Sequence, residues 1–455
     1  MLRLAGEQVE SLFDEALPVE VRQLPEDLER LAKLLEDDEL LHPIEAAWRV
    51  EDRGHGRPTI PMATYVRLMV VKQRTGWGYE TLVKEVSDSI HLRRFCLLAL
   101  SARVPDESTV RKLTRRLGPE VVAELTRAVI AKARRECRFR ARAARCDSTV
   151  VEADIRWPSD AGLALDGARA LAREGRRVAA LAGSEARRVR DRSRALAKRL
   201  RLIGRTVARR TGEARERVLA LTGEAGELLR RSISEARALA REARERARGR
   251  GAQAKLGAAR RLEELAGRAE KVARQISQRL AGERISDRLV SLADPDARPI
   301  RKGKAGKPVE FGYVFQLTEL TEHTGPGARG FLLPPKSGIG SPNETELLPE
   351  TMAELGRSRL KPRELAFDGG FEPGATNRLL PEGTEAFIAG RQQPDSRRAR
   401  RRLTGYRVGC EGRIAHLKRS YGLRRTRLRG HPGAETWVGW GAFAYNLDTL
   451  AIRAG

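Results

Sequence analysis

Aromatic residues make up only 5% of this 455-residue chain, so its apolar cores must be built mainly from Ala, Leu and Val. Cysteine is scarce as well. Cys96, Cys137, Cys146 and Cys410 form no CxxC or Cys/His pairing, which excludes a zinc ribbon and a disulfide framework and fits a reducing compartment. No apolar run approaches the ~20 residues that cross a bilayer. The opening segment, MLRLAGEQVESLFDEALP, has no secretory apolar core. The expectation is a soluble cytoplasmic protein, nucleoid-associated if it binds DNA. Between residues 160 and 285 proline and aromatics are missing altogether, which excludes a conventional mixed domain there.

What abounds is positive charge. The chain holds 88 Lys+Arg against 61 Asp+Glu, a formal net charge of +27 and a pI near 10.8. Such an excess repels itself unless a polyanion neutralises it, and DNA or RNA is the leading candidate because phosphate contacts release counterions.

The length supports two or three domains. Residues 1–136 read as an all-α region. Pro25-Glu26-Asp27-Leu28 opens a helix whose apolar face is Leu31, Leu34 and Leu35, followed by Leu40 and Leu41. After a loop at Asp52–Pro58, Met62–Thr75 has helical spacing and is broken by Gly76-Trp77-Gly78. Tyr79–Val86 is a second short helix, and Pro105-Asp106-Glu107-Ser108 caps a third. Helix, glycine-containing turn and short helix outline a helix-turn-helix. Lys72, Arg74, Lys84, Arg93 and Arg94 are expected around it as surface bases, with Lys72 and Lys84 as DNA-binding candidates. A plain dimerising bundle fits the same outline.

Arg138–Ile155 passes from a basic run into Thr149, Val150 and Val151, a strand bearing Asp147. A carboxylate in a strand fit for burial needs a partner or a metal. Residues 160–285 then form a helical insertion, with Glu227–Arg248 and Ala258–Leu280 as long amphipathic helices. A turn at Gly249-Arg250-Gly251 would join them into an antiparallel, coiled-coil-like arm. Its charge is read mainly as a solvated face, with the Arg surplus able to lie along DNA.

From 286 the signals return to β. Arg298–Arg301 and Val309–Thr318 would pair across Lys302-Gly303-Lys304-Ala305-Gly306-Lys307, and Lys302, Lys304 and Lys307 suit phosphate contact. Glu344–Leu355 reads as a helix, Leu365–Asp368 as a strand ending at Gly369-Gly370, and Glu385–Ile388 as another strand. Arg397–Arg402 reads as a basic linker. Leu403–Gly430 reads as a helix with an apolar stripe of Leu403, Tyr406, Cys410, Ile414, Leu417 and Tyr421. Beside it runs a second stripe of Arg407, Glu411, Ala415 and Lys418. The tail 431–455 is an aromatic-rich helix whose Trp437, Trp440, Phe443, Tyr445 and Leu447 are read as core.

Strand with Asp, hairpin, helix, strand with Asp, strand, helix with Glu is the element order of a ribonuclease-H-like α/β domain, here split over 137–159 and 286–430. Asp147, Asp368 and Glu411 are its candidate catalytic and metal-binding residues. Three oxygen ligands suit Mg²⁺ or Mn²⁺ rather than zinc, and two such ions ~3.5–4 Å apart serve phosphoryl transfer. Cys146 and Cys410 read as small buried neighbours of the site, and His416 as structural.

These residues resemble the bacterial insertion-sequence transposases of the DDE type, in the subgroup marked by a Tyr-x2-Arg-x3-Glu-x6-Lys signature. Arg407, Glu411 and Lys418 match that signature, while its Tyr position is Thr404, with Tyr406 close by. DSTVVEADIRWPSD (Asp147–Asp160) is similar to the family's first-Asp segment, and LAFDGGFEPGATN (Leu365–Asn377) to its second. The 56–117 region, including GRPTIPMATYVRLMVVKQ, resembles the family's N-terminal domain. The stretch from Asp368 to Glu411 is too short for the β-rich insertion that some members place there. The resemblance implies that Asp147, Asp368 and Glu411 hold two divalent ions. It further implies nicking at transposon ends followed by attack of the freed 3′-OH on target double-stranded DNA. Arg407 and Lys418 would contact the backbone near the scissile phosphate, and two ends imply at least a homodimer at work. The alternatives are a ribonuclease-H-like nuclease without strand transfer and a non-catalytic DNA-binding protein.

Overall fold

The computed structural model describes residues 2–5, 16–51, 58–183, 186–249, 251–304 and 307–454, with the side chains of 49–51, 302–304 and 307 also left aside. Most of the expected loop at Asp52–Pro58, the tip of the Lys-rich turn, and the side chains of Lys302, Lys304 and Lys307 therefore lie outside the described residues. The chain divides into two compact units, one formed by Met1–Asp154 with Ile300–Gly455 and the other by Ile155–Pro299.

The first unit opens with helices α1 (Val19–Arg22), α2 (Glu26–Leu34), α3 (His42–Glu51), α4 (Met62–Thr75), α5 (Tyr79–Asp88), α6 (Ile90–Phe95) and α7 (Glu107–Glu136). Pro61 precedes α4, and Gly76 ends it in the left-handed region at φ 70°, where a glycine avoids the Cβ clash. Every residue of α4 from Met62 to Gln73 is buried, so this helix is core rather than a DNA-facing surface. The Asp106 carboxylate caps α7 by accepting from the Ser108 N–H at 2.8 Å. The helix breaks at Gly118, with Pro119 starting the next turn.

The sheet follows. Its strands are β1 (Ala143–Ala153), β2 (Arg298–Lys304), β3 (Lys307–Thr321), β4 (Phe331–Leu332), β5 (Lys336–Gly338), β6 (Glu364–Phe367), β7 (Glu385–Ile388) and β8 (Arg425–Thr426). The order along the sheet is β2-β3-β1-β6-β7, with β4 and β5 pairing β3 and β8 pairing β1. β1 runs antiparallel to β3 and parallel to β6, and β6 is parallel to β7. The sheet is mixed, and β1 is its centre. Helices α12 (Leu348–Arg357), α13 (Pro373–Leu379), α14 (Arg397–Ser420) and α15 (His431–Ala454) complete the unit.

Three boundaries differ from the sequence expectation. The Arg397–Arg402 run is not a linker but the first turns of α14, capped by Ser396. At the other end α14 stops at Ser420, because Gly422 turns the chain at φ 74° into β8. The helix expected from Glu344 starts only at Leu348, which leaves Glu344 in a loop. In α15, Trp437, Trp440, Phe443, Tyr445 and Leu447 are all buried, and the Trp440 ring meets Tyr65 of α4 edge-on at 5.7 Å.

The second unit contains α8 (Asp160–Ala182), α9 (Ser193–Val207), α10 (Gly212–Glu245) and α11 (Ala252–Leu280). Its core is the continuous aliphatic cluster that includes Leu171, Leu229, Leu239, Leu262 and Ile276, filled in with alanines. Gly249 (φ 65°) and Gly251 (φ 96°) flank the turn between α10 and α11. The expected antiparallel pair is thus part of a larger bundle, in which α8 packs on both α10 and α11 and α9 on α8 and α10. Among the described residues no helix is long and apolar enough to cross a membrane.

Candidate active site

Strand register assembles the site. β1 and β6 are parallel neighbours with Ala143 opposite Glu364 and Arg145 opposite Ala366. Continuing that register by two residues brings Asp147 level with Asp368, the first residue beyond β6. Because side chains alternate along a strand, residues 145 and 147 share a face. Each carboxylate is braced by a nearby backbone amide: Asp147, within β1, accepts from the Ser148 N–H at 2.7 Å and Asp368 from the Gly370 N–H at 2.9 Å.

A third acid joins them from the loop between β5 and α12. Asp147, Glu344 and Asp368 each offer a carboxylate oxygen within 4.8 Å of the others. The loop is held because the Glu344 carbonyl accepts from Gln316 Nε2 at 2.8 Å, while Gln316 Oε1 accepts from Thr351 Oγ1 at 2.6 Å. Gly370 makes room: a Cβ there would stand 2.0 Å from Glu344 Oε2 and 3.1 Å from Asp368 Oδ1. Burial, above all, pushes the Asp147 carboxyl up to about 6, and the neighbouring Asp368 and Glu411 charges add to the rise. The Ser148 N–H and Arg407 oppose it. A cluster of three carboxylates, with Asp147 held against ionisation, suits a hard divalent cation, which would relieve the mutual repulsion.

Glu411 stands differently. Its side chain is 61% exposed, and its Oε1 accepts from Arg407 Nη2 at 2.7 Å in an i,i+4 ion pair. It acts on Asp147 through charge, while the acid that closes the group around Asp147 and Asp368 is Glu344. Lys418, partly buried, lies two turns beyond Glu411 on the same face of α14.

A buried ionic network sets the height of α14 over β1. Arg145 donates from Nε and Nη2 to Glu319 Oε2 at 2.8 and 2.6 Å, and from Nη1 to the Tyr406 carbonyl of α14 at 2.8 Å. Glu319 Oε1 accepts from Arg413 Nε at 2.9 Å and from the Tyr445 hydroxyl at 3.2 Å. α14 needs a glycine where Arg145 passes beneath it, since a Cβ on Gly409 would stand 2.1 Å from Arg145 Nη1. Cys146 and Cys410 are buried, and burial pushes both thiols up, away from reactivity. The His416 ring lies edge-on to Tyr421 at 5.4 Å, and burial with nearby arginines lowers its pKa.

The N-terminal cations divide. Lys72 is a correction: it is fully buried, with Nζ 3.7 Å from the Trp437 ring centroid and 4.7 Å from that of Tyr79, and no hydrogen-bond partner. Burial holds its pKa well below the usual lysine value, with Arg427 contributing. It is not a surface base and does not reach DNA. Arg93 is likewise buried, donating to the Ala99 and Leu100 carbonyls at 2.9 Å. Arg74 pairs with Asp27 at 2.8 Å and with Asp448 at 3.3 Å. Lys84 is exposed on α5.

Sequence reasoning missed Glu344, Glu319 and Arg145 as an ensemble. Glu344 carries no local signal beyond an acid before a helix, and its role depends on how the loop folds back over β6.

A family model described as Transposase domain (DUF772) matches residues 19–116. That match spans 98 of the 455 residues and makes this segment similar to a transposase domain. No curated protein and no solved structure matches.

Proposed function

We propose that this chain is a DDE transposase, cleaving at the ends of a mobile element and transferring the freed 3′-OH into target double-stranded DNA. The observation that carries the proposal is the meeting of Asp147 and Asp368 at adjacent parallel strands, with Glu344 alongside, in a chain whose residues 19–116 match a transposase domain. Support comes also from the order of elements: strand, hairpin, helix, strand, strand and helix is that of a ribonuclease-H-like domain.

Asp147, Asp368 and Glu344 would hold Mg²⁺ or Mn²⁺, with Glu411 the further acid that two ions call for. When bound, the ions supply charge neutralisation at the attacking and leaving oxygens. The chain's own residues do the rest. Asp147, ionised above about pH 6, would serve as a ligand, while Gly370 keeps the floor of the cluster open. Arg407 has a guanidinium that a DNA phosphate can take over from Glu411, freeing that carboxylate to turn toward Asp147. Lys418 adds positive charge along the same helix face. Processing two ends calls for at least a homodimer in the working complex.

The test is Mg²⁺- and Mn²⁺-dependent cleavage of DNA carrying the element's ends. Wild type is compared with Asp147→Ala, Asp368→Ala, Glu344→Ala and Glu411→Ala. Cutting and joining by wild type, with the aspartate variants dead but still binding, is the expected result. Cutting without joining makes the protein a nuclease, and binding without metal-dependent cutting makes it a non-catalytic DNA-binding protein.

A further inference from the structure

The second unit is strongly basic, with 36 Lys and Arg against 19 Asp and Glu between residues 155 and 299. Most of its helices balance that charge locally. Arg246 pairs with Glu242, Arg260 with Glu264 and Arg237 with Glu270, at 2.7, 3.0 and 2.6 Å. α9 and its flanks are the exception. From Arg192 to Gly212 the chain carries eight basic residues and no acidic one.

The two faces of α9 are sharply divided. Leu196 is buried, and Ala197, Leu200 and Ile203 pack with it against the unit's aliphatic core. Arg194, Lys198, Arg201 and Arg205, spaced i, i+4, i+7 and i+11, line the opposite face and are all exposed. The basic residues that lean toward the core side are neutralised, Arg192 by Glu235 at 2.5 Å and Arg199 by Glu224 at 2.8 Å. Among the described residues none of the four outward cations makes an ion pair. Exposed Arg209 and Arg210 extend the charge past the helix end.

We propose that this face of α9 binds the sugar-phosphate backbone of duplex DNA, without reading its sequence. The inference rests on the DNA-processing reading above and names a second contact surface for the same substrate. From Arg194 to Arg205 the stripe is about 16 Å long, the axial length of about five phosphates of one strand. Residues 160–285 hold no aromatic side chain, so nothing there stacks on unpaired bases, and the surface suits a duplex rather than a single strand. A basic amphipathic helix can also lie on anionic lipid. That mode needs its apolar face free to enter the bilayer, and in α9 that face is committed to the core.

The experiment uses the full chain and a random-sequence duplex of about 30 base pairs, followed by fluorescence anisotropy between about 50 and 200 mM salt. The variant carries Arg194→Gln, Lys198→Gln, Arg201→Gln and Arg205→Gln together, with its helicity checked by circular dichroism. Each lost phosphate contact lowers the slope of log affinity against log salt by about 0.9, so the four together lower it by about 3.6. Arg260→Gln, which removes a cation already paired with Glu264, leaves the slope unchanged. If the quadruple variant does not fold, the four single variants carry the test, each expected to lower the slope by about 0.9. A variant slope equal to that of wild type overturns the proposal, as does loss of binding to phosphatidylserine vesicles with duplex binding intact. Wild type that binds no duplex at all overturns the functional reading as well.

Discussion

Asp147→Asn should make the metal-free protein more stable at neutral pH while removing its response to metal. The Asp147 carboxyl is raised from the ordinary 3.8 to about 6. At ~1.4 kcal/mol per pH unit, two units correspond to about 3 kcal/mol by which ionised Asp147 destabilises the folded chain. The sign is opposite to that of a salt-bridged carboxylate. Between about pH 4 and 6 the folded chain retains a proton that the unfolded chain has released, so stability falls as pH rises through that window. Above about pH 6 it stays low. An asparagine keeps the shape without the charge and removes this slope. Urea unfolding followed by tryptophan fluorescence, in chelator, should give the variant about 2–3 kcal/mol more stability than wild type near pH 7.5, with the two converging below about pH 4. Adding Mn²⁺ should stabilise wild type and leave the variant unmoved. A variant no more stable than wild type in chelator at pH 7.5, or a pH 4–6 slope that survives the substitution, refutes the reasoning.

Other consequences are as direct. Gly370→Ala places a Cβ 2.0 Å from Glu344 Oε2, so Glu344 must leave the cluster. Mn²⁺ affinity, read by electron paramagnetic resonance, should fall by about 10-fold or more, and unchanged affinity would mean that Glu344 is not a ligand. Lys72→Met replaces an unpartnered buried amine with an apolar chain of similar length and should raise stability by about 1–3 kcal/mol. Because the folded Lys72 pKa lies below the unfolded one, wild-type stability should also rise with pH toward 10.5, a slope absent from the variant. Lower stability of the variant would show instead that a charged ammonium over Trp437 and Tyr79 holds the site together. Arg145→Met strips a cation from the buried Glu319 and should cost about 3–5 kcal/mol in urea unfolding, a loss under about 1 kcal/mol being the contrary result.

The elements around Asp147 and Asp368 were legible because each has a local cause. The switch from arginines to Thr149, Val150 and Val151 reads as a strand, and Leu365-Ala366-Phe367 running into Asp-Gly-Gly reads as a strand end. What brings the two acids together is the β1–β6 register, a long-range property with no local signal. Glu344 was hidden for the same reason, since an acid just before Leu348 looks like an ordinary helix start. Lys72 misled because one apolar face of α4 is visible in Tyr65, Leu68 and Met69. The cover on the other side comes from Trp437, far away in the chain. The Arg407–Glu411 pair is local by nature, since one turn of helix brings the two side chains together, yet from sequence Glu411 reads as a metal ligand instead.

The sheet's central strand is also its earliest. β1 leaves the ribosome before the whole of Ile155–Pro299, and its antiparallel partner β3 comes only after that excursion. At ordinary elongation rates the gap is on the order of 10 s. During it the AARCDSTVVEA segment has two unsatisfied edges and no cover. The helices from α8 to α11 can meanwhile bury their alanine and leucine faces, because the members of their shared apolar cluster lie between Ala161 and Leu292, residues already synthesised. The insertion therefore sets a birth order in which the bundle matures while the sheet's future central strand waits, and slowing translation just after residue 299 should lengthen the interval in which this chain is most prone to aggregate.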